Sequence, residues 1–178
     1  MQCAPFLLLA LLLQQSDKIT EIGPPPEPET AEIFYALHNG KLLPLERQNG
    51  TMHSRFVMPA AKTVFEFPGA RSPVRFHSEE RIEIVVRTRL RPPDADPGAY
   101  YLVRQFDSKK KVRELVFSTG YIVPFGGSTK SDPRYGEVPA EFGAYGDHSL
   151  KIVVGPLPPG EYSVGRAYLH NLFCFGVD

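Results

Sequence analysis

The sequence has no tryptophan, only two cysteines, and no surplus of either charge: Lys+Arg and Asp+Glu both number 20, for a formal net charge of zero. A chain without a basic field has little with which to displace counterions from phosphate, which argues against nucleic acid as a partner and against charge-driven membrane binding. It also lacks an apolar run long enough to span a bilayer, for which about 20 residues are needed. No window holds a helical period for three turns, and there is no internal repeat. Helical bundles and repeat arrays are therefore not expected.

The longest apolar run is Phe6 to Leu13, FLLLALLL, inside a stretch, residues 1–16, without a charged side chain. It matches the apolar core of a signal peptide, although no Lys or Arg precedes it. Residues 1–16 are read as a leader and the chain as secreted or periplasmic. Cys3 precedes the apolar run, where a lipoprotein anchor would follow it. Cys3 would leave with the leader, so Cys174 could form no disulfide within the mature chain. Within Leu172-Phe173-Cys174-Phe175 a buried thiol is expected. Residues 17–30 contain Gly23-Pro24-Pro25-Pro26-Glu27-Pro28-Glu29, whose prolines fix φ and remove donors, giving a semi-rigid spacer.

Residues 31–178 read as short strands. Ile33–His38 and Lys41–Glu46 flank Asn39-Gly40, the residue pair suited to a type I′ hairpin turn. Thr51–Met58 and Lys62–Phe67 follow. Ile82–Arg91 alternates, with Ile82, Ile84, Val86 and Leu90 on one face and Glu83, Arg87, Arg89 and Arg91 on the other, as expected of a strand with one wet side. Tyr100–Phe106 and Val112–Phe117 form an expected hairpin through Asp107–Lys111. Tyr121–Phe125, Leu150–Val154, Glu161–Leu169 and Leu172–Asp178 are further strands, and residues 126–148 form a long loop. Short strands with turns between them predict an all-β antiparallel sandwich or barrel.

Leu157-Pro158-Pro159-Gly160-Glu161-Tyr162 resembles the tyrosine corner of immunoglobulin-like β-sandwiches, where a Tyr hydroxyl bonds back to nearby backbone. Tyr35-Ala36-Leu37, Leu43-Pro44-Leu45-Glu46, Pro68-Gly69-Ala70-Arg71-Ser72-Pro73-Val74-Arg75-Phe76, Arg113-Glu114-Leu115 and Phe173-Cys174-Phe175-Gly176-Val177-Asp178 resemble a group of uncharacterised secreted bacterial proteins. The resemblance implies an immunoglobulin-like fold and carries no site residues. Pro-Gly-x-Tyr and the final strand are also similar to periplasmic copper-binding sandwiches, whose N-terminal His and Asp-Gly-His have no counterpart here.

Met52, His53 and Met58 are soft ligands suited to Cu(I), but Met52 and Met58 point to one face of a strand and His53 to the other. His38, His77, His148 and His170 lack zinc-type spacing. No Gly-x-Ser-x-Gly elbow exists, and Ser108-x-x-Lys111 falls in a turn, not on a helix. Glu137, Glu141 and Asp147, with Arg134, Tyr135, Tyr145 and His148 in the 126–148 loop, are the candidates for acid–base chemistry, with Gly126, Gly127 and Gly143 as hinges. Arg87, Arg89 and Arg91, joined by Arg75 and Arg104, form a candidate face for an anionic partner. Asn49-Gly50-Thr51 fits a glycosylation sequon but reads as a turn. The sequence thus predicts an exported, non-enzymatic module binding a protein or glycan of the cell envelope without a cofactor. A periplasmic copper-binding protein and a hydrolase with a site under residues 126–148 are the alternatives.

Overall fold

The computed structural model describes residues 26–57, 60–90, 95–123, 126–131, 135–167 and 171–178. The expected leader with Cys3, and residues 17–25 of the expected linker, lie outside them. The described residues are all β apart from one 3-10 turn, Pro97–Ala99. None of their helices is long and apolar enough to cross a membrane.

In chain order the strands are β1 (Phe34–His38), β2 (Lys41–Pro44), β3 (Glu46–Asn49), β4 (Thr51–Val57), β5 (Ala60–Pro68), β6 (Arg75–Phe76), β7 (Ile82–Arg87) and β8 (Tyr101–Gln105). Then come β9 (Asp107–Ser108), β10 (Val112–Val123), β11 (Gly126–Ser131), β12 (Glu137–Val138), β13 (Glu141–Tyr145), β14 (Ser149–Val154), β15 (Gly160–Arg166) and β16 (Asn171–Val177). They form three sheets, ordered β13-β14-β7-β1-β2, β12-β8-β15-β16-β3 and β11-β10-β5-β4. Pairing between these strands is antiparallel except where β6 joins β16, and an isolated parallel bridge joins Ala31 to Arg87.

The Asn39-Gly40 hairpin forms as expected. His38 pairs with Lys41, and Asn39 and Gly40 adopt φ 50° and 72°, the left-handed values a two-residue I′ turn requires. Four expectations change. The strand at Ile82 stops at Arg87, and its outer face is not wholly wet: Val85 is fully buried, flanked across the ladder by Tyr35 and Lys151. The Tyr100–Phe106 and Val112–Phe117 segments do not pair. β8 lies in the second sheet, and the chain passes to the third at Phe106, whose ring is buried 5.2 Å from Phe67. The hairpin there is the shorter β9–β10. Third, β10 continues through a bulge at Phe117 to Val123, absorbing the strand expected at Tyr121. Fourth, residues 126–148 are not one irregular loop but carry β11, β12 and β13. The exposed edge of the long β10 supplies a hydrogen-bonding ladder to β11, which its Gly-Gly-Ser-Thr sequence alone does not signal.

The first two sheets pack face to face over Phe34, Ile84, Val86, Leu150 and Ile152 from one and Tyr101, Val103, Tyr162, Val164, Phe173 and Phe175 from the other. Phe34 lies 5.5 Å from the Tyr101 ring and 5.0 Å from Phe173. The other face of the second sheet meets the third through a smaller cluster of Phe67, Phe106, Leu115, Leu172 and Cys174. Cys174 is a buried free thiol, and that burial pushes its pKa up to about 12. Gly50 is the corner between β3 and β4. A Cβ there would lie 2.5 Å from the Phe67 ring, so a side chain cannot be accommodated without moving a core aromatic.

Charged side chains share this second interface. Arg113 is fully buried. Its Nη1 meets Glu46 at 2.9 Å and Glu161 at 3.7 Å, and its Nε and Nη2 donate to the carbonyls of Gly69 and Pro68 at 3.1 Å. Glu161 also accepts from the Ser72 amide at 2.7 Å and from Arg75 at 2.5 Å, and Arg75 holds both Asp178 carboxylate oxygens. Burial opposes ionisation of Glu46, but hydrogen bonds from Arg113 and Gln48 outweigh it and hold its carboxyl below the usual range. At the opposite end of β15 from its exit, Tyr162 donates its hydroxyl to the Pro158 carbonyl at 2.7 Å.

Two outcomes follow from these contacts. Arg113→Ala leaves two carboxylates without their buried cation and is expected to cost about 3–5 kcal/mol in urea unfolding. Tyr162→Phe removes one hydrogen bond and should cost about 1 kcal/mol in the same measurement, with native circular dichroism retained.

Candidate functional site

Before β1, the segment from Glu27 to Ile33 crosses the end of the first two sheets as a strap. The Glu27 carboxylate accepts from the amides of Asp147 (2.7 Å) and His148 (3.0 Å) and from the Ser149 hydroxyl (2.7 Å), capping the turn between β13 and β14. That turn passes through Gly146 at φ 59°, where a Cβ would collide with the Glu27 carboxylate. The Pro28 carbonyl accepts from Arg87, and the Glu32 amide donates to the Arg87 carbonyl at 2.9 Å.

Glu32 has φ 61°, a left-handed value with no glycine to relieve it. Such a conformation costs on the order of 1 kcal/mol or more and persists where surrounding contacts fix it. Here the contacts are made by its carboxylate. The Tyr101 hydroxyl lies 3.1 Å from both oxygens, Thr88 Oγ1 is 3.3 Å from Oε1, and Arg166 Nε and Nη2 are each 3.1 Å from Oε2. The Thr88 and Tyr101 hydroxyl oxygens are 2.8 Å apart, so a single chain of hydroxyls leads to the carboxylate. Burial first, and the Glu32 charge with it, pushes the Tyr101 pKa up to about 12; the phenol stays a donor at neutral pH.

Beside this strap lies a cleft of about 430 Å³, lined by Thr30 to Phe34, Arg47, Gly165, Arg166, Asn171 and Phe173. Its parts come from the ends of strands. Arg47 pairs across β3–β16 with Phe173, and Arg166 pairs across β15–β8 with Tyr101, so both share the parity of core residues at the point where the core runs out. Arg47 Nε donates to Asn171 Oδ1 at 3.1 Å, which fixes the guanidinium and leaves its terminal nitrogens unbonded among the described residues. Gly165 lies against Leu172 and Asn171, where a Cβ would come 2.6 Å from Leu172 Cδ2. The site offers guanidinium and amide donors around a half-buried carboxylate, on an apolar floor.

The residues selected from sequence are not gathered here. Met52 and His53 are both exposed on β4, on opposite faces of the strand, and Met58 lies outside the described residues. Arg87 is half-buried and tied to Pro28, Arg89 is exposed beyond the end of β7, and Arg91 lies outside the described residues. Arg75 and Arg104 belong to the second sheet and do not extend that face. Glu137 and Glu141 sit on strands of different sheets; Glu141 pairs with Arg81 at 3.1 Å beside a smaller cleft of about 350 Å³. Asp147 and His148 lie with Glu27, their ligand atoms within 4.8 Å of one another. Arg134 and His170 lie outside the described residues. Glu32, Arg47, Tyr101, Arg166 and Asn171 were not singled out; the available signal was a polar residue at the inward parity of a strand end.

The strap should respond to acid. Burial opposes ionisation of Glu27, but the Ser149 and turn-amide hydrogen bonds and the nearby His148 prevail, so its pKa lies below 4.5. A lowered folded-state pKa gives stabilisation that is complete above the unfolded value and lost as pH falls through the folded one. Protection of the amides in residues 27–33, measured as exchange relative to the intrinsic rate at each pH, is therefore expected to fall below pH 4.5 in the wild type, and Glu27→Gln should show the reduced protection already at neutral pH. Comparison with protein-family models, with curated proteins and with solved structures finds no match.

Proposed function

We propose that this protein is an exported, non-enzymatic module of immunoglobulin-like β-sandwich fold that binds a protein or glycan of the cell envelope through the cleft beside Glu32. FLLLALLL followed by a proline-rich segment supports export. The two face-to-face antiparallel sheets and the Tyr162–Pro158 hydrogen bond support the immunoglobulin-like reading. The observation that carries the binding role is the cleft itself: fixed donors with unused N–H groups around a strained, fully engaged carboxylate, at the open end of a rigid core. Glu32 is occupied by Arg166 and two hydroxyls, which suits a structural and orienting part better than proton transfer. The candidate carboxylates Glu137 and Glu141 sit on strands of different sheets, which supports a non-enzymatic reading.

Capture from a native envelope extract tests this. Arg47 is exposed and makes one side-chain contact, so Arg47→Glu should fold normally. It is expected to lower retention of the partner about tenfold, the effect of roughly 1.4 kcal/mol at a charged contact. Retention unchanged by Arg47→Glu but lost on Arg89→Glu with Arg91→Glu would move the binding surface to the basic strand end.

A further inference from the structure

We infer that the ligand of this cleft is an acidic saccharide, a sugar unit bearing a carboxylate, an inference that rests on the cleft being the binding site. The formal charges around the cleft are one carboxylate, Glu32, and two guanidiniums, Arg47 and Arg166. Arg166 spends Nε and Nη2 on Glu32, so that pair is internally neutral. Arg47 remains as one uncompensated cation with both terminal nitrogens unbonded among the described residues, its plane set by Asn171. A planar fork with two parallel donors fits a carboxylate, and one surplus positive charge fits one such group.

The rest of the lining selects what carries that carboxylate. The Thr30 hydroxyl and the Asn171 amide interleave donors and acceptors, as a ring of hydroxyls requires, while the half-buried Ile33 gives an apolar contact for sugar C–H groups. About 430 Å³ holds a small ligand in a concave site. A polypeptide interface instead draws its energy from aromatic anchors on a broad surface, and the cleft's aromatics are unavailable for that: Phe34 is 2% and Phe173 4% exposed.

The test is amide-resolved NMR of the full chain titrated separately with D-glucuronate, D-glucose, acetate and an acetylated acidic peptide. Glucuronate is expected to shift Gly165, Arg166, Asn171 and the 30–34 amides saturably, with glucose and acetate at least about tenfold weaker. Arg47→Ala should remove the glucuronate response while the spectrum stays dispersed, and Arg47→Lys should restore only part of it, because a point charge lacks the fork. Equal binding of glucose would show that charge is not read, and equal binding of acetate that the sugar is not; either overturns the inference. Binding of the acidic peptide alone would also overturn it while leaving the cleft as the binding site. If no probe shifts these amides, and an envelope extract does not either, both the inference and the cleft reading fall.

Discussion

The ion pair between Arg113 and Glu161 is the constraint around which the rest of the architecture is arranged. A guanidinium with no exposure, reaching Glu46 and Glu161 while donating to the Gly69 and Pro68 carbonyls, fixes the distance between the second and third sheets. Glu161 then passes the constraint on through Ser72 and Arg75 to Asp178, so the β5–β6 connection and the end of β16 are held by the same carboxylate. Desolvating these charges is costly, and the cost is offset only because nearly every lone pair and N–H finds a partner. Such a network contributes geometry more surely than it contributes stability.

The cleft inherits its rigidity from the opposite face of the same sheet. Tyr101 and Phe173 anchor the apolar core, and the next polar residues at that parity, Arg166 and Asn171, stand at its rim. The strap closes the remaining side, held at Glu27 by a turn and at Glu32 by hydroxyls and Arg166. Neither attachment is apolar. The side-chain attachments of the wall are thus made by carboxylates, beside its backbone bonds to Arg87, whereas the floor is held by hydrophobic burial. Floor and wall consequently respond to different solution conditions.

Much of the fold was legible in the sequence because it rests on local rules: Asn39-Gly40 and its two flanking strands, the alternation of Ile82–Val86, and the turn before Tyr162. Cys174 was legible too, since an apolar run gives a thiol little choice. What escaped depended on tertiary pairing. β11 is a strand because β10 offers it an edge, and β8 departs from β9 and β10 because Phe106 is buried beside Phe67. The cleft was hidden for a related reason. Arg47 and Arg166 look like ordinary surface charges until β3 and β15 are known to end where the core does. Alternation alone also misjudged Val85, whose outward parity is buried by Tyr35 and Lys151 on the neighbouring strands.

The second sheet is two-faced. Tyr162 and Val164 of β15, with Phe173, Phe175 and Val177 of β16, face the dry aromatic layer, while Glu161 and Ser163, with Leu172 and Cys174, face the layer that holds Arg113. Most sheets have one demanding side and one tolerant side, so a slipped strand can hide its error in solvent. Here a slip by a single residue would drive Glu161 into the aromatics and strand Tyr162 among ions, failing on both sides at once. The alternation acts as a parity check on the pairing of β15 with β16: misregistered forms are rejected twice over.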